Sequence, residues 1–155
     1  MNNNGRVYVY NQSRESLVAT EVSVANTYWT RLVGLLGKTS KWARGGRGLW
    51  IVPSHGVHTI GMLFPIDVVF LDHQKQVIHV EEHLRPFSIS RVCLKAESVL
   101  ELPPHTIYRT GTRVGGPNIL LEQVRGITLD PKHKEMIVTD KRINGVMTYY
   151  FPEIF

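Results

Sequence analysis

The chain is almost without cysteine. Cys93 is the single thiol in 155 residues, which excludes an intrachain disulfide and any zinc cage built from several thiolates. No run of about 18 apolar residues occurs anywhere, and the opening Met1-Asn2-Asn3-Asn4-Gly5 has no apolar stretch of the signal-peptide kind. These absences lead us to expect a cytoplasmic protein in a reducing compartment, with no membrane partner. A glycine-rich phosphate loop, a dinucleotide fingerprint and a Gly-x-Ser-x-Gly nucleophile elbow are also missing, so none of those chemistries has a local signature to stand on.

What is present is an ordinary folded composition. With 43% hydrophobic and 20% charged residues the chain is far from the disordered or fibrous extremes, and its length suits a single domain over residues 1–155. The net charge of +5 favours solubility and would attract an anionic partner, without naming one.

Short β-rich runs dominate. Residues 6–10 and 17–25, with Asn11-Gln12-Ser13 between them, read as a hairpin. One helix follows. Asn26 or Thr27 can cap it, Trp29, Leu32, Val33 and Leu36 recur at helical spacing, and Gly37 sits where a left-handed stop is wanted. That apolar stripe is expected to cover one end of a sheet. Further short runs at 48–52, 66–71, 77–82, 99–102, 106–109 and 119–122 are split by turn residues, of which Asp72-His73-Gln74-Lys75 is the clearest. The fold class expected is mostly β, an antiparallel sandwich or jelly-roll-like barrel with one short helix packed against it. Asn144-Gly145, between 136–139 and 146–151, adds a C-terminal hairpin within an extension over 124–155.

Chemistry concentrates between residues 54 and 67. His55, His58 and Asp67 lie among flexible glycines, and Asp67 shares a strand face with Val69 and Leu71. A carboxylate so placed is buried at a cost of several kcal/mol unless it finds a cation or hydrogen-bond donors. His58, Thr59, Arg109 and nearby backbone N–H groups are the available partners. Two readings stay open. Asp67 orients His58 for ligand binding or proton transfer, or it staples the backbone beneath the strand. The candidate pocket is therefore His58, Thr59, Met62, Asp67 and Arg109. No metal and no cofactor are expected: His79 and His83 share a strand face but stand about 13 Å apart, too far for one ion. Residues 38–48 carry four basic residues and three glycines around Trp42, a stretch that could follow phosphates and stack on a base.

Arg31-x-x-Gly34-Leu35-Leu36-Gly37, then His58-Thr59-x-Gly61-Met62-x-Phe64-Pro65-Ile66-Asp67-Val68-Val69-Phe70-Leu71-Asp72, then Leu100-Glu101-Leu102-Pro103 resemble the prokaryotic family known as domain of unknown function 192. The match in order and spacing runs over about 22–121. The resemblance implies a compact β-sandwich of jelly-roll-like character with a helix against it, and no established activity. Ser54 stands where relatives often carry cysteine, and His105 where a glycine is usual, so the turn near His105 is expected to differ.

Three functional readings follow. The first is a binding or accessory module, with a pocket near residues 54–67 for a small polar ligand or a peptide. The second is an enzyme using a His58–Asp67 pair for acid–base chemistry. The third is an RNA-associated protein using the basic 38–47 loop.

Overall fold

The computed structural model describes residues 7–11, 16–43, 46–115, 119–123, 126–130, 135–140 and 145–150. Residues 7–122 form one compact unit, and the chain from Gln123 onward belongs to a second. Among the described residues no helix is long and apolar enough to cross a membrane.

The first unit is built on one sheet of strands β1 (Val7–Asn11), β2 (Ser16–Ala25), β3 (Arg47–Ile51), β4 (Ile66–Leu71), β5 (Val77–Leu84), β6 (Ser98–Leu102) and β7 (Ile119–Gln123), in the order β5-β4-β6-β3-β2-β1-β7. The expected hairpin of β1 and β2 is present, antiparallel with two irregularities in register. The β4–β5 hairpin forms across the expected turn, where Asp72 Oδ1 accepts from the N–H of Gln74 and of Gln76, each at 2.9 Å. The expected all-antiparallel sheet is corrected at one place: β2 and β3 run parallel. Parallel neighbours need a crossover rather than a tight turn, and the chain between them carries helix α1 (Tyr28–Val33).

Apolar residues of β4 and β6 alternate between two cores. Ile66, Val68, Phe70 and Val99 pack on one face with Leu49, Ile51, Met62, Phe64 and Trp42. Val69, Leu71, Leu100 and Leu102 pack on the other with Val18, Val22 and Ile107. This is the period-two alternation of a strand covered on both sides, and it explains why every residue of β4 and β6 is buried.

Two helical expectations change. The segment expected as a strand at 106–109 is instead helix α2 (Thr106–Thr110), with Thr106, Ile107 and Thr110 buried. Its β-branched threonines favour a strand locally, but three fixed points impose a turn of helix. His105 enters at φ 67 and Gly111 leaves at φ 62, both left-handed. Between them the Ile107 N–H, one of the donors a helix start leaves unsatisfied, is taken by Asp67 Oδ2 at 2.9 Å. His105 thus adopts the conformation a glycine would take freely. α1 is the second change. Of the two expected caps it is Thr27 that serves, in a reciprocal box with Thr30, but the helix ends at Gly34, a turn short of Gly37. Its apolar stripe does not cover the sheet: Trp29 is 70% exposed, Leu32 47% and Val33 50%. It is Leu35, in the turn after the helix, that enters the core.

The second unit contains an antiparallel three-stranded sheet, β8 (Gly126–Asp130), β9 (Glu135–Asp140) and β10 (Gly145–Tyr150), in the order β10-β9-β8. The expected hairpin is β9–β10, with one further strand beside it. Asn144 lies outside the described residues.

The Asp67 carboxyl also accepts from the His83 N–H of β5 at 2.9 Å, so it ties β4 to both β5 and α2. Asp67→Ala should cost about 2–4 kcal/mol, because each donor left unsatisfied loses a charge-assisted bond. Asp67→Asn, whose amide accepts at one oxygen only, should cost about half as much. Urea unfolding measures both; a loss below about 0.5 kcal/mol for the alanine variant would contradict this role for Asp67.

Candidate functional site

The loop from Pro53 to Met62 is held by hydrogen bonds at almost every step. Ser54 N–H donates to Glu97 O, Thr59 N–H to Ser88 O and Met62 N–H to Thr59 O. The Val57 N–H donates to Ser90 Oγ at 2.9 Å, and His55 Nδ1 lies 2.7 Å from Ala96 O. The Thr59 hydroxyl is fully buried; it faces the carbonyls of Arg85 and Ser88 and accepts from the Ser88 N–H. A loop tied down in this way is a wall of fixed shape.

The opposite wall is α1 and the turn after it. They meet the loop where Gly61, at φ 82, passes beneath Leu36. A Cβ on Gly61 would stand 2.6 Å from Leu36 Cδ2, so any larger residue would have to displace the end of Leu36, and the left-handed backbone itself favours glycine. Between the walls lies a cavity of about 310 Å³, lined by Leu32, Leu36, Val57, Ile60 and Met62 among others, within the range of small-molecule sites. Arg31 and His58 also line it. The Arg31 guanidinium donates to Pro53 O at 3.0 Å, which sets its position beside the loop.

Glu101 also lines this cavity. It sits in β6, opposite Leu49 of β3 and Val68 of β4 in register, and its neighbours on that face belong to the apolar core. Its residue exposure is 3%, and Oε2 has no hydrogen-bond partner among the described residues. Burial with no compensating charge pushes its carboxyl from 4.5 up to about 8, so near neutral pH it holds its proton.

The residues expected to form the pocket are thus divided. His58 and Met62 line the cavity. Thr59, between them, is committed to the loop's own hydrogen bonds. Asp67 belongs to the opposite face of the sheet, where two backbone N–H groups occupy its oxygens rather than the His58 imidazole. Arg109 is exposed on α2. Glu101 and Arg31 are not in the expected set. The signal for Glu101 is an acidic residue inside the apolar run Val99-Leu100-Glu101-Leu102, where a strand has no reason to place a charge. Trp42 of the basic loop is buried and stacked on Phe64, with ring centroids 5.9 Å apart.

Comparison with known proteins supplies a family and a fold. The family model for DUF192, described as uncharacterised, matches residues 9–117. A crystal structure of a protein of unknown function from Novosphingobium aromaticivorans is similar at 17% identity and a TM-score of 0.60, over 79% of this chain and 89% of that one. Another, from Sinorhizobium meliloti and named as a candidate transcription regulator, is similar at 23% identity and a TM-score of 0.59, over 76% of this chain and 91% of that one. No curated protein matches the chain.

The raised Glu101 carboxyl gives stability a pH dependence of definite sign. Between 4.5 and about 8 the folded state keeps a proton that the unfolded chain releases, so stability is full below that window and falls as pH rises through it. Wild type should lose several kcal/mol more than Glu101→Gln between pH 5 and pH 8 in chemical denaturation, since each pH unit across the window is worth about 1.4 kcal/mol. Parallel pH profiles for the two proteins would contradict the buried neutral acid.

Proposed function

The chain belongs to the DUF192 family, and on that premise we propose that it is a binding module whose cavity between α1 and residues 53–62 takes a small organic molecule. The observation that carries this reading is the outward apolar face of α1. Tyr28, Leu32 and Val33 line the cavity while remaining largely exposed, whereas a helix with a purely structural role turns such a stripe onto the core. An exposed apolar face opposite a loop held by its hydrogen bonds is an arrangement in which a ligand recovers hydrophobic free energy with little ordering of that loop.

The arrangement favours binding over the two alternatives. Acid–base chemistry by His58 needs an orienting partner, and Asp67 is engaged elsewhere. The hydroxyl of Ser54, the nearest candidate nucleophile, donates to Gly56 O at 2.7 Å. In a nucleic-acid role for the basic loop the stacking on a base would fall to Trp42, and Trp42 is in the core. The regulatory name of the Sinorhizobium protein belongs to that protein.

An environment-sensitive apolar dye, anilinonaphthalene sulfonate, tests the reading. Wild type should bind one dye per chain and raise its melting temperature at saturating dye, as ligand linkage requires. Leu32→Glu and Ile60→Glu, on the exposed walls, should leave stability within about 0.5 kcal/mol but weaken dye binding at least about tenfold, by setting a carboxylate in the apolar wall. Unchanged dye affinity in both variants would overturn it.

A further inference from the structure

We propose that Glu101 is the specificity-determining group of this cavity: its carboxyl donates a hydrogen bond to an uncharged carbonyl oxygen on an apolar ligand, while Arg31 holds an anionic group at the ligand's other end. This rests on the binding reading above and names the ligand class, an amphiphilic keto acid or a close chemical relative.

Trp50 Nε1, Ser98 Oγ, Glu101 Oε2 and Thr106 Oγ1 are buried polar atoms without a hydrogen-bond partner among the described residues, and of these residues Glu101 is the one that lines the cavity. Asp67 is fully buried as well, and both of its oxygens are satisfied by backbone donors. Glu101 has no such arrangement. Leu49 and Val68 flank it in the sheet and apolar side chains pack on its face. Glu101 is also one of the residues that line the cavity. A buried polar group left without a partner is a standing penalty, and a ligand atom that reaches it removes that penalty. Such a site discriminates strongly between ligands that carry the matching group and those that do not.

The sign of the ligand's charges follows from the lining. Its titratable side chains are Tyr28 and Arg31 from α1, His58 from the loop and Glu101 from β6. Leu49 and Val68, the strand neighbours of Glu101, are uncharged. With no second acid in the lining, an ammonium group brought to Glu101 would meet the field of Arg31 and bear its own desolvation. An anion meets a guanidinium already oriented by Pro53 O, with further N–H donors to offer. A protonated carboxyl has one O–H to give, and a ketone, ester or amide carbonyl accepts it with no buried charge created. As Glu101 loses its proton above about 8, that donor disappears and a carboxylate faces the carbonyl oxygen. The preference for a carbonyl is therefore present below that pH and lost above it.

Isothermal titration calorimetry with octanoate, octanoates bearing a ketone at successive chain positions, and octylammonium tests the assignment on the full chain. At neutral pH the best keto acid should bind about tenfold more tightly than octanoate, the worth of one well-placed hydrogen bond, and octylammonium should bind most weakly. Arg31→Met should weaken every carboxylate in the set. Glu101→Leu should abolish the preference for the ketone, and Glu101→Gln, which still donates, should keep it. Above pH 8 the keto acid's affinity should fall about tenfold in all, to that of octanoate, for wild type and stay level for Glu101→Gln; that comparison decides the question even if the leucine variant does not fold. Equal affinity for keto acid and octanoate, tightest binding of octylammonium, or a ketone preference that survives Glu101→Leu would overturn the proposal. If the dye binds wild type and no member of this set does, the role of Glu101 and Arg31 is refuted while the cavity reading stands; if the dye fails too, the binding reading falls with it.

Discussion

Two carboxyl groups are buried one register step apart on the neighbouring strands β4 and β6, and the cost of burying them shapes much of what surrounds them. Asp67 of β4 lies opposite Leu102, and Glu101 of β6 lies opposite Val68, so the two point to opposite faces. On one face the cost is met by the fold itself. Asp67 takes a backbone N–H from His83 and another from Ile107, and α2 exists where it does because its first turn is anchored there. On the other face it is not met, and Glu101 keeps its proton instead. One carboxyl is part of the scaffold, and the other is left as chemistry.

The cavity beside Glu101 follows from how the chain crosses from β2 to its parallel neighbour β3. The crossover carries α1, capped by Thr27, and is pinned by Leu35 entering the core and by Gly61 passing under Leu36. Those contacts hold the turn after α1 and leave the helix itself standing off the sheet. Thr59 and Ser90 make the opposing loop a rigid wall. The family signature around residues 58–67 therefore contains both scaffold and cavity: Thr59, Gly61 and Asp67 build, while His58 and Met62 line.

Much of the fold is legible because it is written locally. β4 appears at its observed bounds, since an apolar run between Pro65 and the Asp72 turn has no other outcome. The cap at Thr27 and the β1–β2 hairpin are likewise short-range features. What escapes is what depends on distant residues. α2 has strand-like threonines and becomes helical through a hydrogen bond to Asp67, forty residues earlier in the chain. The stripe on α1 has the spacing of a core-facing helix, and spacing does not say whether a sheet or a ligand lies opposite. Histidines and glycines mark the loop near His58 as a site, but proximity in sequence also assigns Asp67 to it, although the strand turns that side chain to the other face. Glu101 reads as one position of a motif, yet an acid in an apolar strand is the stronger physical signal.

The chemical preference of the cavity depends on the Glu101 carboxyl being neutral and unpartnered in the folded protein. The most direct measurement is a carbon-detected NMR titration of the glutamate side-chain carboxyls, with Glu101→Gln to assign the resonance. A carboxyl that titrates near 8 and disappears in the variant is the expected result. A Glu101 carboxyl that titrates near 4.5 would mean that water or a partner satisfies it, and the cavity would lose the group that gives it a chemical preference.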